Sequence, residues 1–295
     1  MNYLFPETVE GAVEILVKEA GAARVIAGGT DLMASIRDGK LAPSTLVDIT
    51  RIAGLDRIEL GDEWIRVGAA VTFAALRDSA YLRARVRALT QAAASVGAAP
   101  IQTMATWLGN IAQAMPAADG GVVAVALDAE ALVTDASGSR WVTVESLYRG
   151  AGNTTLDPTR QMVTHLRFPA PRSNWASAWR RIGRRPSLTL PILNCAATLR
   201  LAPDGSTIEA ATLALGPVAT LPFRARSAET FLVGRPSDEA TLEQAAKLAQ
   251  TECHPRSNPL RASKEYRETL IPILVRDALR EAREQIRAAR SARPT

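Results

Sequence analysis

The spacing of apolar residues changes period four times within the first fifty positions. Tyr3-Leu4-Phe5 is a short apolar run closed by Pro6, which predicts a strand. Val9, Ala12, Val13, Leu16 and Val17 then recur at helical spacing, with Thr8 placed to cap the helix and Gly21 to end it. Val25-Ile26-Ala27 reads as a buried strand, and Leu32, Met33 and Ile36 as a short helix to Arg37 that Asp38-Gly39 breaks. Leu46-Val47-Asp48-Ile49 reads as a third strand. Strand, helix and strand at this spacing predict a βαβ unit with parallel strands, a small lobe over about 1–54.

From Leu55 the pattern becomes one of alternation. Arg57–Leu60 and Trp64–Gly68 flank Gly61-Asp62 as a hairpin. Thr72 is an N-cap for a helix through Leu76. A longer helix is predicted from about Tyr81 to Val96, with Ala88, Ala92, Ala93 and Val96 on one side. Residues 104–119 are mostly small, with a Gly109-Asn110 pair and a helix-stopping Pro116. Such a stretch passes close to a flat ligand or packs as a tight turn. A buried helix over Val122–Ala131, a hairpin around Asp135–Gly138 and a strand over Met162–Phe168 complete a second, antiparallel α+β lobe over about 55–168.

Residues 169–174, with two prolines, read as a linker. Beyond it, strands at Ala176–Ile182, Leu188–Leu201 and Ile208–Leu215 predict a three-stranded meander. Helices follow at about Ser227–Val233, Asp238–Thr251 and Lys264–Arg290. The division expected is therefore 1–174, 175–290 and a tail at 291–295, and the fold class is α+β. In the last helix Arg276, Arg280, Arg283, Arg287 and Arg290 line one face. A solvated surface explains such a row; docking onto an acidic partner chain is the sharper alternative.

Composition narrows the chemistry. The chain of 295 residues is 47% hydrophobic and 22% charged, the balance of a globular protein rather than a low-complexity chain. No apolar run is long enough to span a bilayer, and the N-terminus lacks the basic-then-apolar order of a signal peptide, so a cytoplasmic location is expected. Cys195 and Cys253 are far apart in sequence and the two histidines stand alone, which predicts neither a disulfide framework nor a metal site. Cys195 reads as a core thiol. Aromatic residues are sparse and not interleaved with basic ones, which argues against nucleic-acid binding.

The candidate chemistry lies in Val25-Ile26-Ala27-Gly28-Gly29-Thr30-Asp31-Leu32. A glycine pair between a buried strand and a helix start allows positive φ and close backbone approach. Free N–H groups there favour an anion, above all a phosphate, although a plain turn has the same pattern. Asp31 caps a helix well but repels phosphate unless it points away.

Taken in order, this stretch and residues 104–119 resemble the FAD-binding medium subunit of molybdenum hydroxylases, the family of carbon monoxide dehydrogenase and xanthine dehydrogenase. Val67–Leu76 is similar to the family's GAxxTxxxL segment, Arg180–Arg185 to its KxGxR strand, and Ala214–Ala219 with Pro222 and Arg224 to its GxVAxxPxR segment. Ser263–Arg267 is similar to its EYR helix start, so the resemblance runs from Phe5 to about Leu279.

The resemblance implies a two-lobed PCMH-type FAD-binding domain and a C-terminal flavoprotein domain. It places Ile26, Ala27, Gly28, Gly29, Thr30, Asp31 and Leu32 around the pyrophosphate of FAD. It places Thr106, Gly109, Asn110, Ala114 and Asp119 along the rest of the cofactor, and Leu166 and Arg181 beside the flavin. No residue is implied as catalytic toward an organic substrate. A large molybdopterin subunit and a small subunit with [2Fe-2S] clusters are the implied partners, in a dimer of heterotrimers that passes electrons to FAD and on to an external acceptor.

Two departures bear on this. Leu108 stands where the family's Thr-x-Gly-Gly-Asn motif has its first glycine; if that position needs positive φ, leucine strains it. Trp107 beside it has a ring that stacks on a flavin or packs next to it. Arg181 stands where relatives usually carry lysine, which keeps the charge and changes the hydrogen-bond geometry. The rival readings are a stand-alone flavin oxidase or dehydrogenase, for which no acid–base pair is evident, and a non-enzymatic assembly subunit with weakened FAD binding.

Overall fold

The computed structural model describes residues 1–291. In chain order the elements begin with β1 (Asn2–Leu4), α1 (Val9–Lys18), β2 (Ala23–Ile26), α2 (Leu32–Arg37), β3 (Thr45–Asp48), β4 (Ile58–Leu60), β5 (Trp64–Gly68) and α3 (Phe73–Asp78). Next come α4 (Ala80–Arg85), α5 (Arg87–Ser95), α6 (Ala99–Gln102), α7 (Trp107–Ala112), α8 (Asp119–Ala126), β6 (Glu130–Asp135), β7 (Gly138–Thr143), α9 (Val144–Leu147), β8 (Tyr148–Gly150), β9 (Asn153–Thr154) and β10 (Met162–Pro169). The last part holds β11 (Trp175–Ile182), β12 (Leu193–Leu201), β13 (Ile208–Gly216), β14 (Phe223–Arg224), α10 (Arg226–Leu232), α11 (Glu239–Glu252) and α12 (Lys264–Ser291).

Packing groups the chain into two compact units. One unit is 1–76, 98–114 and 128–170; the other is 77–97, 115–127 and 171 onward. Two segments that precede the linker in sequence thus belong with the C-terminal half.

The first unit has a parallel sheet in the order β1-β3-β2, the expected βαβ lobe. Thr8 caps α1 through the Gly11 amide, and α1 buries Ala12, Val13 and Leu16; the helix stops at Lys18, before Gly21. An antiparallel sheet of order β4-β5-β10-β6-β7 forms the second lobe. Its register places Arg167 between Trp64 and Trp141, 4.2 Å from each ring centroid, with Nε 2.6 Å from Glu130. These contacts tie β10 to β5, β6 and β7.

The second unit is built on a sheet of order β11-β12-β13-β14, the meander plus one short strand that the sequence reading misses. One face buries Ala178, Leu193, Cys195, Leu199, Leu213 and Leu215 against α10, α11 and α12. The opposite face receives α5 and α8, and it holds polar side chains where a second apolar layer is the simple expectation. Ser177 accepts from the Ala88 amide, Gln91 accepts from the Trp179 amide, and Thr212 donates to the Ala126 carbonyl at 2.6 Å.

Other departures have local causes. The single helix expected over 81–96 breaks at Val86, whose φ of −134° is not helical, and α4 starts from a Ser79 cap. The buried helix starts at Asp119 rather than Val122 and ends at Ala126. β12 begins at Leu193, not Leu188, and leaves an irregular loop over 183–192. The arginine row of α12 is only partly solvated: Arg287 and Arg290 are exposed, while the first three members meet carboxylates. Arg283 is buried and meets Glu239 at 2.7 Å, Arg280 meets the same carboxylate, and Arg276 meets Asp277. Of the expected tail, residues 292–295 lie outside the described residues. Among those described, no helix is long and apolar enough to cross a membrane, and no His/Cys/Asp/Glu group can hold a metal.

Candidate cofactor site

β2 delivers the chain into Ala27-Gly28-Gly29-Thr30-Asp31, and α2 leads it away. Gly28 is demanded by a close approach: a Cβ there would lie 2.0 Å from the Met104 carbonyl oxygen and 3.0 Å from the Ala105 Cα. Gly29 takes φ +68°, the left-handed region, and its carbonyl accepts from the Met33 amide at 2.9 Å. The amides of residues 28–32 make no hydrogen bond to the described chain. Backbone N–H groups so gathered form an anion-binding concavity without lysine or arginine. Asp31 occupies the cap position of α2 but accepts no capping bond, contrary to the sequence expectation. It is exposed by area, yet crowding by the chain desolvates its carboxyl and raises it above the ordinary range. That direction eases repulsion of a bound anion.

The second stretch is seated against this turn. The Ala105 carbonyl accepts from the Phe73 amide, Trp107 N–H donates to Val71, and Met104–Ala105 backs onto Gly28. Thr106 caps α7 through the Gly109 amide at 3.0 Å, and a Cβ on Gly109 would press to 2.9 Å from that hydroxyl. Asn110 follows with its Oδ1 buried and unpartnered. An acceptor of this kind in a native interior calls for a donor from a bound group or water. Ala114 ends the segment at φ +51°, fully buried, its carbonyl taking the Gly152 amide. Leu108 does not bear out the expected strain: it lies within α7 at negative φ, 9% exposed. Trp107 is fully buried, edge-on to Phe168 with ring centroids 6.0 Å apart, and is a core residue. Leu166 also sits in the core, fully buried on β10 between Val67 and Ala131.

Asp119 and Arg181 belong to the second unit, where they meet. Asp119 Oδ2 accepts from Arg181 Nε and from Ser95 Oγ, each at 3.2 Å, and Oδ1 accepts from Asn194 Nδ2 at 2.6 Å. Burial pushes the Asp119 carboxyl up to about 6, against the pull of Arg181, Asn194 and Ser95. Arg181 is anchored at its far end on the Thr189 carbonyl. Asn194 keeps a buried, unpartnered Oδ1. The sequence reading missed Ser95 and Asn194. The available signal was Asn194 itself, an amide inside the apolar run Leu193–Leu199. It also missed Tyr148, whose buried hydroxyl lacks a partner and is raised by burial, and the Met104–Ala105 backbone, which no side-chain pattern marks. The two cysteines are buried and free, and burial raises the Cys195 thiol far above its usual range.

A glycine turn with unbonded amides, seated on a second small-residue segment that carries an orphaned amide oxygen, has the form of a phosphate cradle. Residues 1–171 match the family model described as the FAD binding domain in molybdopterin dehydrogenase, and residues 178–282 match the CO dehydrogenase flavoprotein C-terminal domain. The chain belongs to this family of FAD-binding subunits of molybdenum hydroxylases, whose members are oxidoreductase components. It is 29% identical over 282 residues to the xanthine dehydrogenase FAD-binding subunit of Escherichia coli O157:H7, covering 95% of each chain. It is 28% identical to the carbon monoxide dehydrogenase medium chain of Afipia carboxidovorans, covering 96% of each. Among solved structures, carbon monoxide dehydrogenase from Hydrogenophaga pseudoflava superposes with a TM-score of 0.90 at 26% identity, covering 97% of this chain and 98% of that one. The residues present fit FAD: free amides for a diphosphate and an unpaired buried acceptor beyond them.

Proposed function

We propose that this chain is the electron-transfer subunit of a heterotrimeric molybdenum hydroxylase. It takes electrons from [2Fe-2S] clusters of a small partner subunit onto bound FAD and passes them to an external acceptor. A large molybdopterin-containing subunit oxidises the substrate, and the assembly is a cytoplasmic dimer of heterotrimers. The observation that carries the reading is the set of unbonded amides at 28–32, brought against Met104–Ala105 by a glycine that admits no side chain.

In this reading Ile26, Ala27, Gly28, Gly29, Thr30, Asp31 and Leu32 wrap the pyrophosphate, with the free N–H groups at 28–32 as the donors. Thr106 and Gly109 fix the start of α7 so that Asn110 presents its free Oδ1, and Ala114 turns the chain out of that helix. By the family resemblance Asp119 and Arg181, a buried hydrogen-bonded pair within their own unit, and Leu166 are further cofactor residues. FAD supplies the exchange between one- and two-electron chemistry; the protein positions it and sets its surroundings. The strain motive for the weakened-binding reading is removed, because Leu108 is helical at negative φ. The match over 1–171 and 178–282 supports a cofactor-binding region over 1–174 and a C-terminal region over 175–290 as the units of inheritance.

The test is the visible spectrum of the purified chain, with identification of the cofactor released on denaturation. One FAD per chain is expected. A chain that stays colourless after FAD is added, alone and in the assembled complex, overturns the proposal.

A further inference from the structure

Arg276, Arg280 and Arg283 of α12 meet carboxylates within their own unit, and a second group of cations does not. Segments 183–190 and 253–264 contain Arg184, Arg185, Arg256, Arg261 and Lys264 and no acidic residue, which equals the whole chain's formal net charge of +5. The two segments lie side by side, because Arg184 Nη1 donates to the Leu260 carbonyl at 2.8 Å. Arg185 turns back onto the Ser187 and Leu188 carbonyls. Lys264 meets Glu268 at 3.6 Å, but among the described residues Arg184, Arg185, Arg256 and Arg261 have no carboxylate partner.

Between these charges the surface is apolar. Leu260 is 78% exposed, Leu188 57% and Leu190 53%. The loop is held in place: the Leu188 amide donates to the Gly97 carbonyl, and Arg181, itself paired with Asp119, holds the Thr189 carbonyl. A fixed loop that shows leucines to water and rims them with unpaired arginines has the composition of a protein interface. Like charge opposes a second copy of this chain on the same patch. Neither segment contains a Phe, Tyr or Trp ring to stack a base, and leucines add nothing to a phosphate contact.

We infer that segments 183–190 and 253–264 form the docking surface for a partner chain of the complex whose facing surface is carboxylate-rich around apolar pockets. The inference rests on the subunit reading above. Arginine–carboxylate complementarity sets register and encounter rate there, and the leucines supply the buried centre.

The test uses the assembled complex, isolated through this chain, with a photo-crosslinking residue in place of Leu260, of Leu190, or of the control Val233, which is 52% exposed in the same unit. Leu260 and Leu190 should give adducts to one and the same partner chain, through a peptide rich in Asp and Glu, and Val233 should give none. The double variant Arg184→Glu/Arg261→Glu should raise the dissociation constant of the chain from the complex by about tenfold or more at low salt. High salt should narrow the gap, and FAD per chain should match that of the unaltered protein. Adducts only to a second copy, no adduct from the intact complex, an unchanged dissociation constant, or duplex DNA that competes for the patch would each overturn the inference. Absence of FAD from the unaltered chain is a separate failure, that of the flavin reading, and leaves the cross-linking result to stand or fall alone.

Discussion

Replacing Gly28 with alanine isolates the physical basis of the cradle. The added Cβ would sit 2.0 Å from the Met104 carbonyl oxygen and 2.7 Å from its carbonyl carbon, both backbone atoms that no rotamer change can move. Ordinary contact needs about 3.2–3.5 Å, so the 27–31 turn and the 104–105 segment must part by more than about 1 Å. Overpacking of this kind costs roughly 1–3 kcal/mol of stability. Its effect on the cofactor is larger. An N–H···O bond of about 2.9 Å stretched by 1 Å is no longer a hydrogen bond, and each charge-assisted bond lost is worth about 1.5–3 kcal/mol. Two such losses weaken FAD binding by about 10²- to 10⁴-fold. Fluorescence-quench titration of the apo chain with FAD, beside a thermal melt, measures both quantities. Gly29→Ala is the control: its φ of +68° makes alanine strained, but the nearest atom is the Ile26 Cδ1 at 2.9 Å, a side-chain tip that can yield. It should lose about 1 kcal/mol and retain more FAD affinity than Gly28→Ala. The reasoning fails if Gly28→Ala binds FAD within threefold of the unaltered chain, or if Gly29→Ala proves the more damaging.

Three further outcomes are expected. Ala114→Gly relieves an alanine at φ +51° and should stabilise the protein by about 0.5–1 kcal/mol, read as a rise in Tm; a fall in Tm would mean the methyl's packing outweighs the strain. Leu108→Gly should destabilise by about 3 kcal/mol or more, through a lost buried side chain and a glycine in a helix, without tightening FAD; tighter flavin binding in titration would restore the idea that Leu108 obstructs the site. The Asp119 carboxyl is raised in the folded state to about 6 from 3.8. The folded chain therefore holds a proton that the unfolded chain releases in that window, and the group's contribution to stability falls as pH rises from about 4 to 6, by up to about 3 kcal/mol. Urea unfolding of the unaltered chain minus that of Asp119→Asn should show this decline with pH, whereas a difference that grows with pH would place the Asp119 carboxyl below its ordinary range instead.

The elements of the first lobe were legible because their signals are local. Thr8, Gly39 and the 3.6-residue spacing of Ala12, Val13 and Leu16 act within one or two turns of chain, and the structure follows them. Helix and strand ends were less legible. Val86 interrupts a continuous apolar spacing by turning out of helical φ, and the start of β12 at Leu193 depends on where Ile182 finds its partner. The arginine row of α12 shows the same limit from the electrostatic side. Periodicity places Arg280 and Arg283 on a common face, but their shared carboxylate partner, Glu239, comes from more than forty residues earlier, and only Arg283 is buried.

The sequence by itself therefore determined the α+β class, the glycine turn after a buried strand, and through its ordered motifs the family and its flavin. Those properties follow from near-neighbour sterics, from periodicity and from the residue types a diphosphate needs. Only the tertiary structure decided that Gly28 answers to the Met104–Ala105 backbone, and that Ser95, Asp119, Arg181 and Asn194 form one buried cluster. It alone recruited residues 77–97 and 115–127 to the C-terminal sheet. Each of those facts is a contact between distant parts of the chain. It is set by which polar groups must find partners once water is excluded, and no local pattern records that choice.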